Sequence, residues 1–300
     1  KVVNVSDNTF LAHIGGKIEV QPKMPIKNRD DLSKVYTPGV ARVCQAIHDN
    51  KSKAYSLTIK RNTVAVVSDG SAVLGLGNIG PESAIPVMEG KAMLFKQLAG
   101  VDAFPICLDT QDTEEIIRTI KSIAPVFGGI NLEDISSPRC FEIEDRLTKE
   151  LDIPVFHDDQ HGTAIVVLAG LLNALKVVKK SIGTVRVVVN GVGAAGVAIS
   201  LMLLAAGVNR LTAVDREGAL WPGRVYDNNA AWTLLSEQQQ LENGGYSLSE
   251  ALIDADVFIG VSRAGLLTVD NVKSMASDPI IFAMANPEPE IEPELAEPYA

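Results

Sequence analysis

A chain of 300 residues, 46% of them hydrophobic and with a mean hydropathy of +0.15, can bury a large core, and its length suits two domains. Its 27 basic and 37 acidic side chains leave a net charge of −10, which argues against nucleic acid or an anionic membrane as a partner. Three cysteines (Cys44, Cys107, Cys140) without metal-ligand spacing read as reduced thiols in a cytoplasmic setting, no apolar run is expected to reach the ~18 residues of a membrane span, and the polar start lacks the apolar segment of a signal peptide.

The chain opens on Lys1 rather than Met, and Val2-Val3-Asn4-Val5 reads as a strand already under way. Pro22, Pro25 and Pro38 break periodicity up to residue 60. Thr63-Val64-Ala65-Val66-Val67-Ser68 is then a continuous apolar run, the mark of a strand buried on both faces. A helix is expected over 82–99 and a second strand over 101–108. Asp112 predicts a helix start with Glu115 as its capping-box partner, running to about residue 124. A third strand over 129–132 ends at Glu133-Asp134, and a helix over 141–151 leads to the extended approach Ile153-Pro154-Val155-Phe156. Such alternation predicts an α/β fold, a parallel sheet covered by helices with ligands at the carboxyl ends of its strands. An apolar helix over 163–180 reads as a hinge between an N-terminal catalytic domain (1–160) and a Rossmann-type dinucleotide-binding domain (161–300) that opens with a strand over 185–189. The last strand, 280–285, runs into the Pro/Glu-rich stretch 286–294 and stops without a closing element, so both ends read as cut from a longer protein.

Two glycine loops match G-x-G-x-x-G. Gly191-Val192-Gly193-Ala194-Ala195-Gly196 follows an apolar strand directly, opens an uninterrupted helix over 197–206, and is followed by a strand, 211–214, that ends at Asp215. This is the full context of a dinucleotide fingerprint: the glycines admit the pyrophosphate, the helix N-terminus faces it, and Asp215 can accept from ribose hydroxyls. Asp215 favours NAD, whereas the adjacent Arg216 can pair with the 2′-phosphate of NADP, so the choice stays open. Gly75-Leu76-Gly77-Asn78-Ile79-Gly80 sits five residues beyond its strand and is followed by Pro81; it reads as a packing loop near the substrate rather than a second nucleotide site.

The motif Phe156-His157-Asp158-Asp159-Gln160-His161-Gly162-Thr163 sets two adjacent carboxylates between a strand and an apolar helix, and Glu133-Asp134 is a second acidic pair behind an apolar segment. Acidic pairs at strand ends suit a hard cation, Mg²⁺ or Mn²⁺, because such ions take oxygen ligands. Glu133-Asp134 also has the reading of a helix-start pair facing the macrodipole. His157 and His161 have the spacing of a helical zinc pair, but they straddle the strand end, where helical spacing is not expected to hold, and no third soft ligand is near. Dinucleotide, hard cation and clustered carboxylates together point to oxidation of a small hydroxy acid.

Several segments in one order resemble the signatures of the malic enzymes, most closely the short bacterial branch. They are Tyr36-Thr37-Pro38-Gly39-Val40-Ala41, Ser68-Asp69-Gly70-Ser71, Gly75-Leu76-Gly77, Glu89-Gly90-Lys91, Asn131-Leu132-Glu133-Asp134-Ile135, His157 to Thr163, Gly191 to Gly196, Phe258-Ile259-Gly260-Val261-Ser262 and Ala285-Asn286-Pro287. The opening Val5-Ser6-Asp7-Asn8-Thr9-Phe10 resembles the joint after an ACT domain in some members. The resemblance implies metal-dependent oxidative decarboxylation of L-malate to pyruvate and CO₂ by NAD or NADP, in a homodimer. It implies Glu133, Asp134 and Asp159 as ligands of Mg²⁺ or Mn²⁺, Lys91 as general base, Asp158 as its charge partner and Tyr36 as general acid. Asn286 and Ser262 would lie by the cofactor, with Thr163 near it. On their own, Lys91 reads as a helix-surface lysine and Tyr36 as a half-buried aromatic. Larger members carry an arginine two residues after the Asp-Gly dipeptide, where this chain has Ala72, and a further asparagine-rich segment of the family would fall beyond residue 300.

Three other readings stay on the table. A malolactic reaction would yield lactate without net cofactor reduction. An amino-acid dehydrogenase would need no divalent metal and would ignore EDTA. A dinucleotide-sensing module would bind cofactor without turnover.

Overall fold

A computed structural model describes residues 7–226, 229–238 and 245–300; the strand expected at residues 2–5 lies outside them. The chain divides into two compact units: Lys1–Ser71, Ile79–Glu133 and Asp145–Val155 form the first, and Ala72–Asn78, Asp134–Glu144 and Phe156–Ala300 the second.

The first unit opens with short helices α1 (Asn8–His13), α2 (Arg29–Val35), α3 (Val40–Asp49) and α4 (Ala54–Leu57). Next in chain order come β1 (Thr63–Ser68), α5 (Pro81–Ala99), β2 (Asp102–Cys107), α6 (Thr113–Ile123), β3 (Gly129–Leu132), α7 (Arg139–Glu150) and β4 (Val155–His157), of which residues 139–144 and 156–157 belong to the second unit. The sheet order is β2-β1-β3-β4, with β1 parallel to both β2 and β3. Ala65, Val66 and Val67 in β1 are fully buried, as a continuous apolar run in a central strand requires. α6 shows how a helix is specified locally. Ile116, Ile117 and Ile120 bury one face, and the Asp112 carboxylate accepts from the Glu115 N–H at 2.8 Å. The expected reciprocal box is absent there: Glu115 accepts from the Thr110 hydroxyl, and the Asp112 N–H donates to that same hydroxyl. Thr110 intercepts both groups, so the helix start carries a one-sided cap.

The helix expected to begin at 163 begins five residues sooner. α8 (Asp158–Val177) has His157 as its N-cap, so Asp158, Asp159 and His161 form its first turn rather than a loop. The physical reason is electrostatic: two carboxylates in the first turn face the positive end of the helix dipole, which favours helix over loop there. α8 is also long and apolar enough to cross a membrane by length and composition, contrary to the expectation that no such run exists. Its Ala164, Val167, Leu171 and Leu175 face is instead built into the core of the second unit, beside Val187, Ile199 and Leu203.

The second unit continues with β5 (Arg186–Asn190), α9 (Ala194–Ala205), β6 (Arg210–Asp215), β7 (Gly218–Ala219), α10 (Ala230–Gln238), α11 (Leu248–Leu252), β8 (Val257–Gly260), α12 (Val269–Ser274) and β9 (Ile280–Ala283). Its sheet runs β7-β6-β5-β8-β9, parallel except for the β6–β7 pair. Side chains alternate between two cores. Val187, Val189, Val257 and Ile259 join the α8 side, whereas Val188 and Phe258 join the side holding Leu252 and Val272. Two buried faces at a period of two explain why these strands read as unbroken apolar runs. The Pro/Glu-rich end does close: α13 (Pro293–Ala296) follows, with Ile291 and Ala296 buried in the Phe258 core. Two small apolar anchors in an acidic, proline-punctuated run are too sparse a pattern to announce a helix.

Candidate functional site

The strand order of the second sheet reverses at β5: β6 lies on one side and β8 on the other, the switch point at which such sheets bind ligands. A cavity of about 900 Å³ opens there, lined by Gly191 and Gly193 after β5, Ser262 after β8, Asp215 at the end of β6, and Arg216 and Arg224 beyond it. Gly196, in the first turn of α9, could not carry a side chain, because a Cβ would lie 1.7 Å from the Gly191 carbonyl oxygen. Ala194 and Ala195 open that helix behind its N-cap Gly193. Of the remaining residues assigned to the cofactor, Thr163 lies in the second turn of α8 and Asn286 follows β9; neither lines this cavity.

Glu133 and Asp134 leave the carboxyl end of β3, and Asp159 lies in the first turn of α8 just after β4. One carboxylate oxygen from each lies within 4.8 Å of the others. Backbone bonds set this arrangement. The Glu133 N–H donates to Val67 O, continuing the ladder, and the Ala72 N–H donates to Asp134 O. Asp134 adopts φ +53°, a conformation tolerated best by Asp, Asn and Gly, and its N–H donates to Asp159 Oδ2 at 2.8 Å. The set suits a hard cation, since it offers only oxygens, and two oxygens on one Mg²⁺ at about 2.1 Å can lie about 4.2 Å apart.

Lys91, on α5, places Nζ 3.0 Å from Glu133 Oε1. The other Glu133 oxygen accepts from the Asn131 amide at 2.8 Å. Lys91 is therefore paired with a carboxylate that the family resemblance gives to the metal. Asp158 opens α8 and is half-buried. Tyr36 ends α2 and is well exposed, at 65%.

His157 and His161 take separate carboxylates. His161 Nε2 lies 2.8 Å from Glu144 Oε2, whereas the buried His157 has Nε2 3.2 Å from Asp159 Oδ2, off the line of a hydrogen bond. The helical turn at 158–161 corrects the expected loop, yet each imidazole still lies by a different carboxylate. In the second glycine loop, a Cβ on Gly75 would lie 2.5 Å from Asn286 O, so that glycine is required by close backbone packing.

Three residues escape sequence reasoning. Glu144 accepts from the His157 N–H and the Gln160 amide, besides meeting His161, and so holds the start of α8. Glu290 is fully buried and accepts from the N–H groups of Ser262 and Ala285, both at 3.0 Å. Its setting in an acidic run signals only solvated charge. Arg224 grips Asp215 through both guanidinium nitrogens, at 3.1 and 2.6 Å. The turn residues Pro222 and Gly223 before it are its one signal.

Burial, and then the nearby Asp159 charge, push the Cys140 thiol up to about 12. Cys44 is exposed. Titration with a thiol-reactive disulfide at pH 8 is expected to modify Cys44 in the native protein and Cys140 only after unfolding. Mass mapping that finds Cys140 labelled first would contradict this.

Residues 15–148 match the family model described as "Malic enzyme, N-terminal domain", and residues 160–300 the one described as "Malic enzyme, NAD binding domain". The chain is 68% identical over 299 residues to the NAD-dependent malic enzyme of Geobacillus stearothermophilus, covering 100% of this chain and 62% of that protein. It is 56% identical over 279 residues to the bifunctional malic/malolactic enzyme of Bacillus subtilis, covering 93% of this chain and 68% of that one. The crystal structure of an NAD-dependent malic enzyme from Thermotoga maritima superposes with a TM-score of 0.92 at 50% identity, covering 99% of this chain and 79% of that one. The chain thus spans about three fifths of the length of its Geobacillus relative. A parallel sheet ending in clustered carboxylates, a Rossmann sheet with its glycine loop and both family matches lead to one conclusion: the chain belongs to the malic enzyme family.

Proposed function

We propose that this chain carries the substrate, metal and nucleotide sites of an enzyme that oxidatively decarboxylates L-malate to pyruvate and CO₂, with Mg²⁺ or Mn²⁺ and NAD or NADP, as a cytoplasmic homodimer. The observation that carries the reading is the convergence of the Glu133, Asp134 and Asp159 oxygens beside the Lys91 ammonium. Glu133, Asp134 and Asp159 would hold the cation, and Gly191, Gly193, Ala194, Ala195, Gly196, Asp215 and Ser262 the dinucleotide, with Thr163 and Asn286 near its reactive end. When bound, the cation lowers the pKa of the malate hydroxyl and offsets carboxylate charge, and the nicotinamide accepts the hydride. Lys91 takes the hydroxyl proton, Asp158 balances the ammonium that results, and Tyr36 delivers a proton to carbon after CO₂ leaves. A lysine can serve as base near neutrality only where burial or neighbouring cations favour its neutral form. Glu133, 3.0 Å from the Lys91 ammonium, would also be a ligand of the cation, whose positive charge beside Lys91 would favour the neutral amine.

The test is absorbance at 340 nm with L-malate, Mn²⁺ and each nucleotide, using the full-length protein. A rise abolished by EDTA is expected, and a rise indifferent to EDTA would refute the metal role. The name of the Bacillus subtilis relative favours a second reading, conversion of malate to lactate. Lactate accumulating without a rise at 340 nm would select it.

A further inference from the structure

The reading of the 900 Å³ cavity as a dinucleotide site leaves the choice between a 2′-hydroxyl and a 2′-phosphate open, and the geometry around Asp215 bears on it. Asp215 ends β6 with its side chain only 9% exposed. Arg224 Nη1 donates to Oδ1 and Nη2 to Oδ2, while the Glu217 N–H donates to Oδ1 at 2.8 Å. Nη2 also donates to Glu217 Oε2 at 2.9 Å, so one guanidinium is shared by two carboxylates. The turn that presents Arg224 is itself tied down. Tyr226 accepts from the Trp221 N–H and donates to Trp221 O, and the Arg224 guanidinium carbon lies 5.3 Å from the Tyr226 ring centre. Tyr226 meets Trp232 edge-on at 6.0 Å, and the Trp232 indole N–H donates to Val192 O in the glycine loop.

Resting on the dinucleotide reading, we propose that Arg224 is a specificity-determining residue: a 2′-phosphate cation latched shut by Asp215 and Glu217. In the latched state Asp215 Oδ2 keeps a lone pair for a ribose 2′-hydroxyl. A 2′-phosphate entering the same space meets two carboxylates whose shared cation is already committed to them. A fork that fits carboxylate also fits phosphate, so removing the carboxylates frees the Arg224 guanidinium for the phosphate. Arg216 lines the same cavity and has no carboxylate latch of this kind among the described residues, so it serves as the internal control.

The experiment measures NADH and NADPH binding by fluorescence titration, with neither malate nor metal present, so that catalysis plays no part. The native protein is expected to bind NADH at least about tenfold more tightly than NADPH, and Asp215→Ser with Glu217→Gln to raise NADPH affinity about tenfold or more. Adding Arg224→Gln to that pair should cancel the gain, lowering NADPH affinity by a larger factor than NADH affinity. Glu217→Gln alone alters an exposed side chain, leaves the fold intact and should raise NADPH affinity about threefold. A gain that survives Arg224→Gln assigns the phosphate to Arg216 and overturns the proposal. So does a native protein that prefers NADPH, or folded variants that bind NADH yet show no gain. Failure of the native protein to bind either nucleotide would overturn the dinucleotide reading itself, which separates the two failures.

Discussion

Lys91→Met is expected to lower kcat for malate oxidation about 10²- to 10⁴-fold, the range lost when a positioned proton acceptor is removed. NADH affinity should stay unchanged, since the dinucleotide cavity is lined by other residues. Methionine keeps the length and most of the stem packing of lysine on α5 but has no proton to exchange. The substitution also removes the cation 3.0 Å from Glu133, a side chain only 6% exposed. Loss of one partner of a buried pair costs up to about 3–5 kcal/mol when nothing replaces it. The Asn131 amide still donates to Glu133, which brings the expected cost toward the lower end. Mn²⁺ supplies a substitute charge, so a lowered Tm that Mn²⁺ largely restores is the expected signature, measured by thermal melting with and without the ion. A Lys91→Met protein with native kcat would remove Lys91 from the chemistry. One whose Tm is unchanged would instead deny the ion pair its structural role.

Asp159→Asn is expected to weaken Mn²⁺ binding about 10²-fold or more, because loss of a residue merely supporting a ligand already costs about 10–100-fold. Asparagine retains an oxygen to accept from the Asp134 N–H, so the backbone tie at 2.8 Å has a replacement. What is lost is charge. In the metal-free protein two effects of that loss oppose each other. Relief of repulsion among carboxylates within 4.8 Å stabilises, by order 1 kcal/mol after screening. Loss of an anion in the first turn of α8 costs about 0.3–1 kcal/mol. The metal-free Tm is therefore expected to change little. The native protein should gain about 2.7 kcal/mol at an ion concentration a hundred times its Kd, and the variant should show almost none of that gain. Electron paramagnetic resonance of free Mn²⁺ gives the affinity directly. Native affinity in Asp159→Asn would exclude this side chain from the ion.

What was readable in advance follows the range over which each signal acts. Thr63–Ser68 and Gly129–Leu132 are strands where the apolar runs placed them, because burial on both faces leaves a mark in every residue of the strand. The glycine loop, its helix and Asp215 were legible for a related reason: close backbone approach to a ligand demands glycine at set positions. The start of α8 was missed because two adjacent carboxylates suggested a loop, whereas their place in the first helical turn follows from the dipole. The closing helix at Pro293–Ala296 was missed because its anchors, Ile291 and Ala296, find their partner Phe258 more than thirty residues away.

The sequence by itself determined the α/β alternation, the dinucleotide fingerprint, the acidic pairs and, through motif resemblance, the family. These depend on spacing of a few residues, over which the covalent chain dictates geometry. Only the tertiary structure decided which partner each charge meets: Lys91 on Glu133, Glu144 on the His157 N–H and the His161 ring, Glu290 on the Ser262 N–H, and Arg224 between Asp215 and Glu217. Pairing of that kind is fixed by which strand ends and turns the sheets bring side by side, and a side chain's type carries no record of the distant partner that the fold will set against it.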